Sequence, residues 1–303
     1  MSTARGSNVA ASVRARLNNL AVARKEPFAR ILERYAIERL LYRLSRSAHQ
    51  DRFVLKGASL FLAWGGEVHR PTRDVDLLGF GSSDLDEVVA IMAAIITTPV
   101  EEDGLAFPVE AITASRLKAG QRYEGVRLSV LALLDRARIR VQVDIGFGDA
   151  VTPTHGPFPA LLDMPGPVLR LYPRETVIAE KFQALVVLDL TNTRLKDFYD
   201  LWAIGRGFAF DGEVLCHALR ATFQRRETAL PAATPPALTT AFTRDPAKEK
   251  LWQAFLGKNE MAALDLEDDV AAAARAFVLP PAGAIAEGAP FPYRWQPGGP
   301  WVP

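Results

Sequence analysis

The chain has 303 residues, with 36 Lys+Arg against 35 Asp+Glu for a formal net charge of +1, and its length suits one large domain or two of ordinary size. Hydrophobic residues make up 49% and charged residues 23%, a globular composition that excludes a disordered chain. A single cysteine, Cys216, excludes a disulfide framework and a cysteine-based zinc site. The sequence has no run of about 18 apolar residues, and its N-terminus lacks the apolar core of a signal peptide. The expectation is a cytoplasmic protein with no membrane partner.

The near-zero charge hides an asymmetry. Residues 1–52 hold eleven Lys/Arg and four Asp/Glu, whereas residues 245–269 hold seven acids and three bases. Arginines outnumber lysines, 28 to 8, and the planar guanidinium fork suits phosphate and base contact.

In chain order, residues 8–47 read as helical. Phe28, Ile31, Leu32, Tyr35, Leu40, Leu41 and Leu44 recur at three- and four-residue steps, and Arg30, Arg34 and Arg43 fall off that stripe and are expected to face outward. A short strand, Phe53-Val54-Leu55, follows. Lys56-Gly57-Ala58-Ser59 then opens a short helix that Gly65 closes. Residues 72–78 alternate polar and apolar, the period of a half-buried strand, and Asp84 is placed to cap the next helix. Residues 126–133 and 139–145 read as a hairpin. The Pro/Gly-rich stretch 151–173 reads as an interdomain boundary, and helical patterns dominate from Arg174 onward. The last residues are rich in Pro and Gly but carry Phe291, Tyr293, Trp295 and Trp301, which predicts a tail packed on the body. The fold expected is α+β: a mixed sheet with helices over residues 1–160, a mostly helical lobe over 161–279, and the tail 280–303.

The sharpest chemical signal is Asp74-Val75-Asp76. Residues i and i+2 of a strand share a face, so the two carboxylates sit side by side and repel unless a cation relieves them. Hard oxygen ligands of this kind suit Mg²⁺, or Mn²⁺ in its place. Asp144 lies in an otherwise apolar strand, and if that strand neighbours the first it supplies a third carboxylate, enough for metal-assisted displacement at phosphorus. Gly57 and Ser59, between a strand and a helix, offer backbone N–H groups to phosphate, and the Thr72 hydroxyl is a further phosphate donor. Asp197 and Asp200 are i,i+3 on one helix face, where they can orient Lys181 or a bound nucleotide. The four histidines show no ligand spacing, and no P-loop or dinucleotide fingerprint is present.

Taken in order, RFVLKGASLFLAW, RPTRDVDLLGFG, RVQVDIGFGD, ETVIAEKFQALV and LKDFYDLW resemble the AbiEii/AbiGii-type toxin nucleotidyltransferases of the nucleotidyltransferase superfamily. The resemblance runs from about residue 8 to the end. Ala58 stands between Gly57 and Ser59, where the superfamily has Gly followed directly by Gly or Ser. The resemblance implies that Asp74 and Asp76 hold Mg²⁺ at the triphosphate and that Asp144 completes the acidic cluster. It also implies that Lys181 reaches the nucleotide phosphates and that Asp197 and Asp200 form the downstream acidic motif. Lys56, Gly57, Ser59, Thr72 and Arg73 would then belong to the nucleotide-binding set. The implied reaction transfers NMP from an NTP to an acceptor, the 3′ end of tRNA or another RNA, under control of a separately encoded antitoxin. A non-catalytic nucleotide- or RNA-binding protein and an Asp-x-Asp metal-dependent glycosyltransferase are the alternative readings.

Overall fold

The computed structural model describes residues 3–65, 72, 74–117, 125–149 and 151–303, with side chains from residue 8 onward. The chain divides into two compact units, Met1–Tyr172 and Pro173–Pro303.

The first unit opens with two helices, α1 (Thr3–Arg24) and α2 (Phe28–Arg46), within the stretch that reads as helical from the sequence. The break falls at Lys25-Glu26-Pro27. Lys25 has a positive φ of 55°, and Pro27 is extended at the start of α2, a place where proline's missing N–H costs nothing. Then follow β1 (Phe53–Lys56), the single turn α3 (Leu60–Ala63), β2 (Asp74–Gly79), α4 (Leu85–Ile96), β3 (Leu105–Ala106), β4 (Thr113–Arg116), β5 (Gly125–Leu134), β6 (Ala137–Phe147), β7 (Thr154–Pro157) and β8 (Val168–Leu171). The Asp84 carboxylate caps α4 by accepting from the backbone N–H groups of Asp86 and Glu87 at 3.0 and 3.1 Å.

Among the described residues these strands form one mixed sheet in the order β3-β5-β6-β2-β1-β8-β7, with β4 also on β5. The central pairing, β2 with β6, is parallel, and it joins the antiparallel pairs β1/β2 and β5/β6. Val75 and Leu77 of β2, Val141, Val143 and Ile145 of β6, and Val126, Leu128 and Val130 of β5 are buried on one face. The intervening residues make up the opposite face. The stretch expected to be an interdomain boundary supplies β7 and β8. Because β8 pairs in parallel with β1, it is part of the sheet, and the division between units falls after Tyr172.

Arg43 does not face outward as its place off the apolar stripe implies. It is buried beside Arg39, and both donate to the buried Asp103 carboxylate, Arg39 Nε at 3.1 Å and Arg43 Nη1 at 2.6 Å. Glu38, also buried, accepts from the Leu161 backbone N–H at 2.7 Å, and Arg39 donates to the Pro165 carbonyl at 2.7 Å. Burial raises the Glu38 pKa despite these donors. The face of α2 that periodicity marks as outer is thus covered by the segments around Asp103 and Leu161.

The second unit contains α5 (Arg174–Leu188), α6 (Leu195–Gly207), β9 (Phe210–Asp211), α7 (Gly212–Arg225), α8 (Thr240–Thr243), α9 (Pro246–Lys258), α10 (Ala272–Ala286), β10 (Arg294–Trp295) and β11 (Trp301–Val302). A π-helical turn, Leu266–Ala271, leads into α10. Helix α10 continues through Pro280 and Pro281, so the tail begins after Ala286 and not at 280. The tail's Trp295 indole donates to the Gly205 carbonyl at 2.6 Å, and Trp301 donates to the Phe277 carbonyl at 3.0 Å. Among the described residues, Leu266–Ala286 is the one helix whose length and apolarity would allow it to cross a membrane. Glu267 at its start is bound by Arg275 and the Thr243 hydroxyl, and Phe277, Val278 and Ala282 are buried core residues.

Two consequences follow from this packing. Asp103→Ala strips the counter-charge from two buried arginines, a change that typically costs about 3–5 kcal/mol. It should lower the thermal midpoint of the first unit by on the order of 10 °C, as read by circular dichroism or calorimetry. Cys216 is buried, and burial raises its thiol pKa. At pH 8 it should react with a disulfide reagent far more slowly in the native chain than in guanidinium chloride.

Candidate active site

The site in the first unit is built by strand register. Asp74 and Asp76 project from the same face of β2, with Val75 between them turned into the core. Parallel pairing sets Asp74 opposite Gln142 and Asp76 opposite Asp144 on β6. The carboxylates of Asp74, Asp76 and Asp144 are all half-buried, and each offers an oxygen within 4.8 Å of the others. The strand carrying Asp144 therefore lies directly beside the strand carrying the Asp-x-Asp pair.

The same register continues outward on both sides. Lys56 of β1 pairs with Asp76, and Arg127 of β5 pairs with Asp144. A cross-sheet row thus runs Lys56, Asp76, Asp144, Arg127, with two acids flanked by two bases. Arg127 grips Asp144 with a planar fork, Nε to Oδ1 at 2.8 Å and Nη2 to Oδ2 at 2.7 Å, while Gln142 Nε2 reaches Oδ2 at 3.3 Å. Hydrogen bonds to Asp144 raise the Arg127 pKa. Desolvation offsets part of that, and the charges of Asp144, Asp74 and Asp76 add to it. Periodicity within β5 marks Arg127 only as outward. Its contact with Asp144 depends on a pairing that the sequence of one strand does not reveal.

The remaining residues expected in the nucleotide-binding set fall around this row. Thr72 Oγ1 donates to Asp74 Oδ1 at 2.6 Å, so its hydroxyl is engaged with the carboxylate. Lys56 Nζ lies 3.7 Å from Asp149 Oδ2, over Gly146 of β6. Gly57 has a φ of +74°, and a Cβ there would sit 2.0 Å from Asp76 Oδ2 and 2.7 Å from Asp76 Cβ. Only glycine admits both that backbone and that approach. Ser59 is buried at the start of the single-turn α3 and makes no capping hydrogen bond. Arg73 lies outside the described residues.

A second cluster lies within the helical unit. Lys181 of α5 meets two acids of α6, its Nζ 2.9 Å from Asp197 Oδ1 and 2.6 Å from Asp200 Oδ2. Asp197 and Asp200 are buried, on the same side of α6 as their i,i+3 spacing requires. Arg194 Nε stands 2.9 Å from Asp197 Oδ2. That contact is an ion pair, and among the described residues that oxygen accepts no hydrogen bond.

Three half-buried carboxylates converging from adjacent parallel strands form an all-oxygen donor set, the chemistry that Mg²⁺ and Mn²⁺ select over softer metals. The residues present therefore fit a divalent cation. The model of the nucleotidyl transferase AbiEii toxin, from type IV toxin–antitoxin systems, matches residues 39–277. The chain belongs to this family. Membership places it among nucleotidyl transferase toxins, and type IV systems pair the toxin with an antitoxin. No curated protein matches the sequence. Two solved Helicobacter pylori structures are similar. JHP933 is 17% identical over 82% of this chain and 87% of that one, with a TM-score of 0.42. A protein described as a candidate nucleotidyltransferase is 16% identical over 82% and 89%, with a TM-score of 0.41.

The close approach at Gly57 supplies a test of the acid cluster. In Gly57→Ala the added methyl cannot be accommodated by turning the Asp76 carboxylate, because Asp76 Cβ is also in the way. The strained φ adds about 1 kcal/mol or more. The variant should keep its helical circular dichroism yet bind Mn²⁺ at least about tenfold more weakly than wild type, as followed by electron paramagnetic resonance of the free ion.

Proposed function

We propose that the chain is a Mg²⁺-dependent nucleotidyltransferase toxin that moves NMP from an NTP to the 3′ end of tRNA. The observation that supports this most directly is the convergence of Asp74, Asp76 and Asp144 on one face of the sheet in a member of the AbiEii family. Held by these three carboxylates, the cation would neutralise charge developing on the triphosphate. The acceptor's 3′ hydroxyl attacks the α-phosphorus, a new P–O bond forms, the α–β phosphoanhydride breaks, and pyrophosphate leaves. The attacking hydroxyl loses its proton to a carboxylate of the cluster or to water.

The chain's own groups serve this reaction in distinct ways. Gly57 leaves room for Asp76, and Thr72 fixes the orientation of Asp74. Lys56 brings positive charge to the same face. Lys181 supplies a phosphate-binding cation kept in a single position by Asp197 and Asp200. Exposed Arg14, Arg16, Arg24 and Lys25 on and just after α1 provide a sequence-independent surface for the RNA backbone. Adding a nucleotide to the tRNA end would block aminoacylation and halt translation until the antitoxin intervenes. The proposed location is the cytoplasm, where tRNA and NTPs are found.

Incubation with Mg²⁺, α-labelled NTPs and total tRNA should place label at the tRNA 3′ end. Asp76→Asn should reduce transfer on the order of 100-fold or more, and EDTA should abolish it. An absence of label transfer would favour a non-catalytic RNA-binding role instead, and an Asp76→Asn enzyme as active as wild type would remove Asp76 from the cation site.

A further inference from the structure

We infer that Arg127 is a built-in counter-ion of the acid cluster: it holds Asp144 while no cation is bound, then releases it to grip the nucleotide's triphosphate. This inference rests on the proposed reading of Asp74, Asp76 and Asp144 as a cation site.

Three observations carry it. First, the Arg127 guanidinium engages both oxygens of Asp144, at 2.8 and 2.7 Å. A divalent cation on the cluster would therefore lie within a few ångströms of a fixed positive charge. Like charges at that range repel, so the fork and the cation compete for the same carboxylate. Second, Arg127 can leave. Its side chain is 45% exposed, against 14% for Asp144. On its far side the register sets it against Ser115 of the edge strand β4, a short exposed residue. Third, the released group is suited to phosphate, since the fork that matches a carboxylate matches two phosphate oxygens equally well. It would remain beside the acids that carry the triphosphate's cation, held there by its strand.

Removal of the guanidinium should therefore act in opposite directions on two ligands, a signature that a merely structural arginine would not produce. In the full-length chain, Arg127→Met should bind Mn²⁺ alone about fivefold more tightly than wild type, as expected for loss of a partly exposed competing ion pair. With Mn²⁺ saturating, it should bind inorganic triphosphate about tenfold more weakly. Arg127→Lys, which keeps the charge but not the fork, should fall between in both titrations. Thermal midpoints within about 2 °C of wild type would show that both variants fold. Electron paramagnetic resonance reads the Mn²⁺ binding, and isothermal titration calorimetry reads the triphosphate. If Mn²⁺ binds wild type and Arg127→Met equally, or if triphosphate affinity is unchanged, the inference is overturned while the cation site stands. If neither protein binds Mn²⁺, the reading of the acid cluster falls, and this inference with it.

Discussion

The parallel pairing of β2 with β6 is the constraint on which the chemistry of the first unit depends. It places Asp76 opposite Asp144 and brings Asp74 within reach of both. Slippage by one residue would turn Asp144 into the core and Val143 onto the open face, because strand side chains alternate. The buried set Val75, Leu77, Val141, Val143 and Ile145 makes that slip costly, since it would exchange apolar burial for buried charge. The hydrophobic pattern therefore fixes the position of the acids even though no acid takes part in it. Left alone, three converging carboxylates would oppose the pairing that assembles them. Arg127 and Thr72 relieve part of that opposition by ion pairing and hydrogen bonding.

Local patterns carried much of this into the sequence. The alternation around Asp74 and Asp76 gave the strand and its polar face, and the isolated acid in an apolar run marked Asp144. The i,i+3 spacing gave the common face of Asp197 and Asp200. Features that depend on partners distant in sequence were not legible. Arg127 is ordinary within its own strand and acquires meaning only opposite Asp144. Arg43 sits off the apolar stripe of α2, yet it is buried because the segment holding Asp103, sixty residues later, folds over it. The short strands β3, β4, β7 and β8 have two to four residues each, too few for periodicity to register. The Pro280-Pro281 pair reads as a helix end, but α10 tolerates it as a helix whose Phe277, Val278 and Ala282 are held in the core of the second unit.

Charge bookkeeping by sequence window is changed in the same way. The excess of bases in residues 1–52 does not all reach solvent. Arg39 and Arg43 are neutralised internally by Glu38 and Asp103, and exposed positive charge is concentrated on and just after α1. The acidic stretch 245–269 is likewise occupied by local structure. Asp245 and Asp265 cap helical turns, Glu267 is tied to Arg275, and Arg244 bridges Asp265 and Asp268. Helix starts favour acids in this position because their backbone N–H groups lack intrahelical partners. The near-zero net charge thus gives little indication of where a polyanion could settle.

The two ion clusters show how burial divides one kind of interaction into two uses. Arg127 and Asp144 meet at the surface of the sheet, with the arginine 45% exposed. Water can solvate the guanidinium as it departs, so the pair is exchangeable at modest cost. Lys181 is only 15% exposed, and its partners Asp197 and Asp200 are 0% and 2% exposed at their side chains. Separating that group would take the ammonium from two carboxylates in a low-dielectric interior, a far larger penalty. A buried ion cluster of this kind contributes little net stability compared with apolar packing, but it fixes an ammonium in one place with little freedom. The sheet therefore carries a cation that can be replaced, and the helical unit carries one that cannot. The same pairing of a basic group with carboxylates is thus exchangeable where water reaches it and fixed where it does not.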